Sequence, residues 1–291
     1  MKPPPFEYEA PRTADEAVAL LAQHGDGAKV LAGGQSLVPL LNFRLAQPEV
    51  LIDVNRLSEL AYVRPADTGL AIGALTRQHA VEQSSTIRMQ LPIVAEACHL
   101  IGHLPIRHRG TVGGSLAHAD PASELPAVMV ALEAELTLSR KGSRRTVAAE
   151  QFFTGIFSTA LEPEELLTDV RVPGLPPGTG SAFLEIARRA GDFALVGVAA
   201  LVTLNSHGRV TRARLALCGA GPTPIRAREA ERVLTGEWPE GSVLDDAVEK
   251  LAAETDPPSD IHASATFRKK LARHVGRQAI ELAVQRAGGA S

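Results

Sequence analysis

Apolar and polar positions along the chain repeat with two different periods, and the switches between them divide it into elements. In "TADEAVALLA" (Thr13–Ala22), Ala17, Leu20 and Leu21 share one face at helical spacing. Thr13 stands at the N-cap position and Glu16 completes a capping box. "VLAGG" (30–34) predicts a short strand ending in two glycines, and "SLVPLLNFRLA" (36–46) a helix with Pro39 in its first turn. "VLIDV" (Val50–Val54) predicts a second strand, so the first 55 or so residues read as a β-α-β-like unit. Further on, "GLAIGALT" (69–76) predicts strand and turn, and "IRMQLPIVAEACHLIG" (87–102) a helix in its second half. "SELPAVMVALEAELTLSR" (123–140) predicts a short helix and then an alternating strand, while "SRRTVAAEQFF" and "ELLTDVRVP" add strands. Phe193–Leu204 is an apolar run that reads as a buried strand beside a turn or helix end. "SAFLEIARR" and "RVTRARLALCG" read as strands, and 226–234 and 265–286 as helices. The Pro- and Gly-rich "VPGLPPGTGS" (172–181) is the clearest boundary. The divisions expected are therefore 1–55, 56–175 and 176–291.

Composition narrows the function classes. The chain has 291 residues, is 45% hydrophobic and 22% charged, and carries a net charge of −3, so it has no nucleic-acid footprint. Its longest apolar run is too short to span a bilayer, and the N-terminus lacks a signal-peptide core, which makes the cytoplasm the expected location. Cys98 and Cys218 are the only cysteines, too few to hold an iron–sulfur cluster within this chain. Arg268, Lys269, Lys270, Arg273 and Arg277 crowd the last predicted helix, as a solvated face or a docking surface for an acidic partner.

The candidate chemistry lies in two glycine segments, Gly33-Gly34-Gln35-Ser36 and Thr111-Val112-Gly113-Gly114-Ser115. Glycine admits positive φ and close approach, and successive N–H groups in such a turn form an anion-binding nest. Ser36 adds a hydroxyl that can cap the following helix or meet a phosphate oxygen. Neither segment matches the dinucleotide or P-loop fingerprints. Two nests together would grip a diphosphate from both sides. His99, His103, His108 and His118 lie near Cys98, but their spacing matches no zinc motif, and they read as packing or solvated histidines. Neither serine sits in a nucleophile elbow, so no catalytic acid, base or nucleophile is assigned.

Three stretches, in order, carry a family resemblance: "AGGQSL" (32–37), "IRHRGTVGGSLAHADPASELP" (106–126) and "ARRAGDFALVGVAA" (187–200). They resemble the FAD-binding medium subunit of molybdenum hydroxylases, in the branch of aerobic carbon monoxide dehydrogenase, with the flavin domain of xanthine dehydrogenase more distant. The resemblance implies an α+β chain with an FAD-binding fold of the vanillyl-alcohol-oxidase type. That fold has an N-terminal α/β unit, a middle antiparallel α+β unit, and a C-terminal small antiparallel sheet with helices. It places pyrophosphate loops on Val30, Leu31, Ala32, Gly33, Gly34, Gln35, Ser36 and Leu37, and on Thr111, Val112, Gly113, Gly114 and Ser115. Lys29 would add charge beside the first. Glu124, with Asp120 as a weaker candidate, would accept hydrogen bonds from the ribose or adenine end. Ile101 would pack on the cofactor, Phe193 would cover a flavin ring face or lie in the core, and Thr168 would contribute at most a backbone contact. Leu184 replaces a lysine of the xanthine dehydrogenase branch, which argues against NAD-linked reoxidation.

The implied partners are a large molybdenum–pterin subunit, a small subunit with [2Fe–2S] clusters, and an electron acceptor at the flavin, in a dimer of heterotrimers. A self-contained FAD-dependent oxidoreductase and a non-redox nucleotide-binding regulatory module remain as alternatives.

Overall fold

The computed structural model describes residues 2–289. Its first unit is a parallel sheet with Val50–Asp53 in the centre, flanked by Glu7–Glu9 and Ala28–Leu31. The helix Ala14–His24 begins as the pattern predicts. Thr13 Oγ1 accepts from the Glu16 N–H at 3.1 Å, while the Glu16 carboxylate reaches back to the Arg12 N–H at 2.7 Å. It packs Ala17, Val18 and Leu21 with Val50, Ile52 and Leu57. The predicted helix over 36–46 is shorter, Leu37–Asn42, because Arg44 turns the chain with a φ of 58°.

The middle unit is an antiparallel sheet in the order Val63–Ala66, Gly69–Gly73, Leu166–Pro173, Glu135–Arg140, Ser143–Ala148. Helices outnumber those expected here. Ser85–Gln90 precedes Pro92–Leu100, so both halves of that stretch are helical, and Gln78–Gln83 and Leu104–Arg109 are further short helices. The three besides Pro92–Leu100 are six residues long, too short to show a periodic face in the sequence. The helix Glu124–Ala131 is buried along its full length, which its uniformly apolar sequence allows.

The last unit is a four-stranded sheet, Thr179–Ala187, Ala194–Leu204, Val210–Cys218 and Ile225–Arg226. The run after Phe193 is its longest strand and is covered on both faces. Val196, Val198 and Val202 pack with Val275, Ala279 and Ile280 of the helix Ala265–Gly288, while Ala199 and Leu201 join the core of the middle unit. A strand buried twice has no reason to alternate, which explains its unbroken apolar sequence. The cationic cluster of that last helix is engaged within the chain. Arg268 is buried on the Leu195 carbonyl and Asp260, Arg273 pairs with Glu249, and Arg277 pairs with Asp245. The expectation of a solvated face is thus corrected for Arg268, whereas Arg273 and Arg277 pair with their carboxylates at the solvent-exposed surface.

Cys98 and Cys218 are both buried free thiols, and burial pushes both away from thiolate formation. A thiol reagent such as DTNB should leave the native chain unlabelled over minutes and titrate both thiols in denaturant. Rapid labelling of the folded chain would contradict the packing described here.

Candidate functional site

The first glycine segment leaves the end of the strand Ala28–Leu31 and turns sharply at Gly34, whose φ is +73°. Among the described residues, the backbone N–H groups of Gly33, Gly34, Gln35 and Ser36 have no acceptor within the chain. Four adjacent free donors in a turn form a preformed anion site. The Gln35 side chain folds back to the Gly33 carbonyl at 3.0 Å and supports the turn. Of the two roles open to its hydroxyl, Ser36 does not take that of helix cap. Its backbone is already in the right-handed region, where the hydroxyl is not aimed at the next turn's N–H groups. Lys29 is exposed on the strand before the turn.

The second segment is built differently. Val112–His118 is a helix, and neither Gly113 nor Gly114 has a positive φ. Its donors are occupied. Val112 N–H bonds the Thr76 carbonyl at 3.0 Å and Gly113 N–H the Ala74 carbonyl at 2.8 Å. Gly114 N–H bonds Thr111 Oγ1 at 3.0 Å, and Ser115 N–H bonds the Thr111 carbonyl at 3.1 Å. The expected second nest is thus a capped helix start. Glycine serves close packing there: a Cβ on Gly113 would lie 2.6 Å from the Ala74 Cβ. The Ser115 hydroxyl, half-buried and without a partner among the described residues, is the polar group this segment offers.

The two segments meet. A Cβ on Gly33 would stand 2.5 Å from the Arg109 carbonyl oxygen and 2.9 Å from the Gly110 Cα, and Gly114 faces the Ala32 Cβ. A polar chain that sequence reading missed runs between them. Tyr8 Oη donates to Asp53 Oδ2 at 2.6 Å, and Asp53 Oδ1 accepts from the Asn55 backbone and amide at 2.9 and 2.6 Å. Asn55 Nδ2 also donates to the Ala32 carbonyl at 2.7 Å, and its Oδ1 accepts from Arg77 Nη2 at 2.7 Å. Arg77 Nη1 donates to the Arg109 carbonyl. Burial and the neighbouring Arg109 charge weaken the hold of Arg77 on its proton. Burial raises the Asp53 carboxyl, but the hydrogen bonds from Tyr8 and Asn55 outweigh it and leave Asp53 below its ordinary range. No local motif announces these residues, because their partners come from separate parts of the chain.

Farther out, Glu124 is buried at 6% exposure, and burial with the charge of Glu185 pushes its pKa up to about 8. Burial raises Glu185 to about 7, and its buried Oε2 has no hydrogen-bond partner. The Glu185 charge favours the proton on Glu124. The Asp120 carboxylate closes a local turn on the Ala122 N–H at 2.9 Å. Ile101, half-buried, ends the helix Pro92–Leu100, and its carbonyl and that of Gly102 accept from Arg107 at 3.1 and 3.0 Å. Arg107 pairs with the buried Glu82 at 3.0 Å. Burial raises Glu82, but His99, Arg107 and His79 outweigh it and hold it below the usual range. His99 therefore faces this carboxylate. Phe193 is 69% exposed and so is not a core residue. Thr168 is buried, its hydroxyl on the Thr137 carbonyl at 3.2 Å and its own carbonyl on the Ala74 N–H at 2.9 Å.

The arrangement offers an anion turn, a hydroxyl beside it, two guanidinium groups nearby and, farther out, a buried Glu124 with the half-buried Glu185 near it. That donor set fits a diphosphate-bearing cofactor, and comparison with known proteins agrees. Residues 4–175 match the family described as "FAD binding domain in molybdopterin dehydrogenase", and residues 181–283 the "CO dehydrogenase flavoprotein C-terminal domain". The chain is 43% identical to the 6-hydroxypseudooxynicotine dehydrogenase complex subunit alpha of Paenarthrobacter nicotinovorans, over 99% of this chain and 97% of that one. It is 40% identical to the carbon monoxide dehydrogenase medium chain of Afipia carboxidovorans, over 99% of each. It superposes on a solved chain of carbon monoxide dehydrogenase from Hydrogenophaga pseudoflava with a TM-score of 0.95 at 40% identity, covering 98% and 99%. Both the sequence match and the fold extend over nearly the full chain, so the chain belongs to the FAD-binding medium subunits of the molybdenum hydroxylases, as a subunit of an oxidoreductase complex.

Proposed function

We propose that this chain carries electrons out of its complex. It would receive them from the [2Fe–2S] clusters of a small partner subunit and pass them through its FAD to an external acceptor. Oxidation of the substrate would occur at the molybdenum–pterin centre of a large partner subunit. The working unit would be a cytoplasmic dimer of heterotrimers. The observation that carries this reading is the junction of Gly33 with Arg109–Gly110, beside four unpaired N–H donors.

Toward the cofactor, the N–H groups of Gly33 to Ser36 would bind the diphosphate, joined by the Ser115 hydroxyl. Lys29 would contribute charge, and Glu124, with Asp120 beyond it, would serve the ribose or adenine end. Ile101 would pack on the cofactor and Phe193, exposed, would cover a ring face. The isoalloxazine supplies the redox chemistry, while the chain binds, orients and shields it. The residues 1–55, 56–175 and 176–291 would act as three units around it. Relatives named for 6-hydroxypseudooxynicotine, caffeine and carbon monoxide are all 38–43% identical to this chain. Similarity here does not track the substrate, which supports substrate selection in another subunit.

A site assembled from separate units is ordered further when partners fix their angle. FAD affinity of the full chain should therefore rise roughly 5–150-fold on adding the iron–sulfur partner, within ordinary coupling energies. An FAD titration with and without the partner checks this, and equal affinities would refute the coupling. Turnover of an organic substrate by the lone chain would instead favour a self-contained flavin enzyme. Failure of the chain to bind FAD under any condition would remove the redox reading.

A further inference from the structure

The chain from Tyr8 to Arg109 does more than fill space. Asn55 has its amide orientation set on three sides: Nδ2 on the Ala32 carbonyl and on Asp53, and Oδ1 on Arg77. Arg77 spans from Asn55 to the Arg109 carbonyl, the same oxygen that stands 2.5 Å from a Cβ position on Gly33. It also forms an antiparallel bridge with Thr111, which caps the second segment. Through the Asn55 amide, one guanidinium thus links the Ala32 carbonyl just before the free N–H turn to the Arg109 carbonyl just before the capped helix.

We propose that Arg77, acting through Asn55, is a positioning residue that sets the separation of the two glycine segments and so the width of the diphosphate site. Asp53 and Tyr8 fix the orientation of Asn55. The inference rests on the cofactor site proposed above. The planar fork of arginine suits it, because two acceptors in different directions are held by one rigid group. A lysine keeps the charge but supplies a single point donor. The residue acts on the frame of the site and leaves phosphate contact to the backbone N–H groups.

The test is a cycle of full-chain variants, Arg77→Met, Arg77→Lys, Asn55→Ala and the double Arg77→Met/Asn55→Ala. FAD affinity is read by quenching of flavin fluorescence, and thermal unfolding is followed without FAD. Each single variant should weaken FAD about tenfold, and the double variant no more than the worse single, because both remove the same connection. Arg77→Lys should behave as Arg77→Met. The slope of log Kd against log salt should match the wild type, since a positioning residue neutralises no phosphate. Full recovery by lysine, additive losses, or a reduced salt slope would overturn the proposal in favour of direct charge contact. If Arg77→Met fails to fold, Asn55→Ala alone decides: unchanged FAD affinity in it refutes the idea. Loss of FAD binding by the wild type would instead count against the cofactor site itself.

Discussion

Gly33→Val should leave the purified full chain without bound FAD. The added Cβ would stand 2.5 Å from the Arg109 carbonyl oxygen and 3.0 Å from its carbon. Those are backbone atoms tied by Arg77, so they cannot swing aside as a side-chain tip would. The two segments must part, and the diphosphate site widens or collapses. Gly34→Val should have the same outcome by another route. Its φ of +73° is costly for any β-branched residue, about 1–3 kcal/mol of local strain. The new methyls would also press on Val38 Cγ2 and Leu31 Cδ1, which lie 3.2 and 3.3 Å from the Cβ position. Gly114→Val should act more locally, by displacing Thr111 Oγ1 from the helix cap 2.7 Å away. Gly142→Ala is the matched control, with a φ of +76° and nothing within 4 Å, and its flavin content should be normal. The flavin-to-protein absorbance ratio reads all four. Normal flavin in both Gly33→Val and Gly34→Val would end the case for the first segment as the diphosphate site.

Glu124→Gln should make the FAD-free chain more stable at neutral pH and bind FAD less well. In the fold the Glu124 carboxyl keeps its proton until about pH 8, against an ordinary value of 4.5. Between those values the unfolded chain releases a proton that the folded chain retains. Stability therefore falls as pH rises through that window. At pH 7 the deficit is about 3 kcal/mol, from 2.5 units at about 1.36 kcal/mol each. Glutamine removes it. Glu185, raised to about 7, still makes stability fall below that pH, so the variant should retain a shallower slope there and lose the slope above it. Denaturant unfolding of the deflavinated chain from pH 5 to 9 measures this. An unchanged pH profile would show that Glu124 is not held neutral. The accompanying loss of FAD affinity, about tenfold for one hydrogen bond made by the neutral carboxyl, tests its proposed role at the ribose or adenine end. A destabilising carboxylate retained in a core is the pattern expected of a functional group.

Much of this was legible along the chain. Period and capping placed the helix after Thr13, the strands Val50–Asp53 and Leu166–Pro173, and the helix Ala265–Gly288, because each contains enough residues to show its face. The three quoted motifs carried the family and hence FAD. Short helices escaped, since six residues make fewer than two turns. Gly113-Gly114 misled for a related reason. A glycine pair looks the same whether it serves a positive φ or a close contact, and only the position of Ala74 separates the two.

The sequence by itself determined the elements whose burial repeats locally, the apolar strand Ala194–Leu204, and the residue types that carry the cofactor motifs. Only the tertiary structure decided that Gly33 rests on Arg109, that Asn55 and Arg77 join them, and that the buried Glu124 lies within reach of the charge of half-buried Glu185. The physical reason is range. Capping and amphipathic periodicity act over a few residues, whereas these contacts join positions 22 to 76 apart and exist only once the sheets have packed.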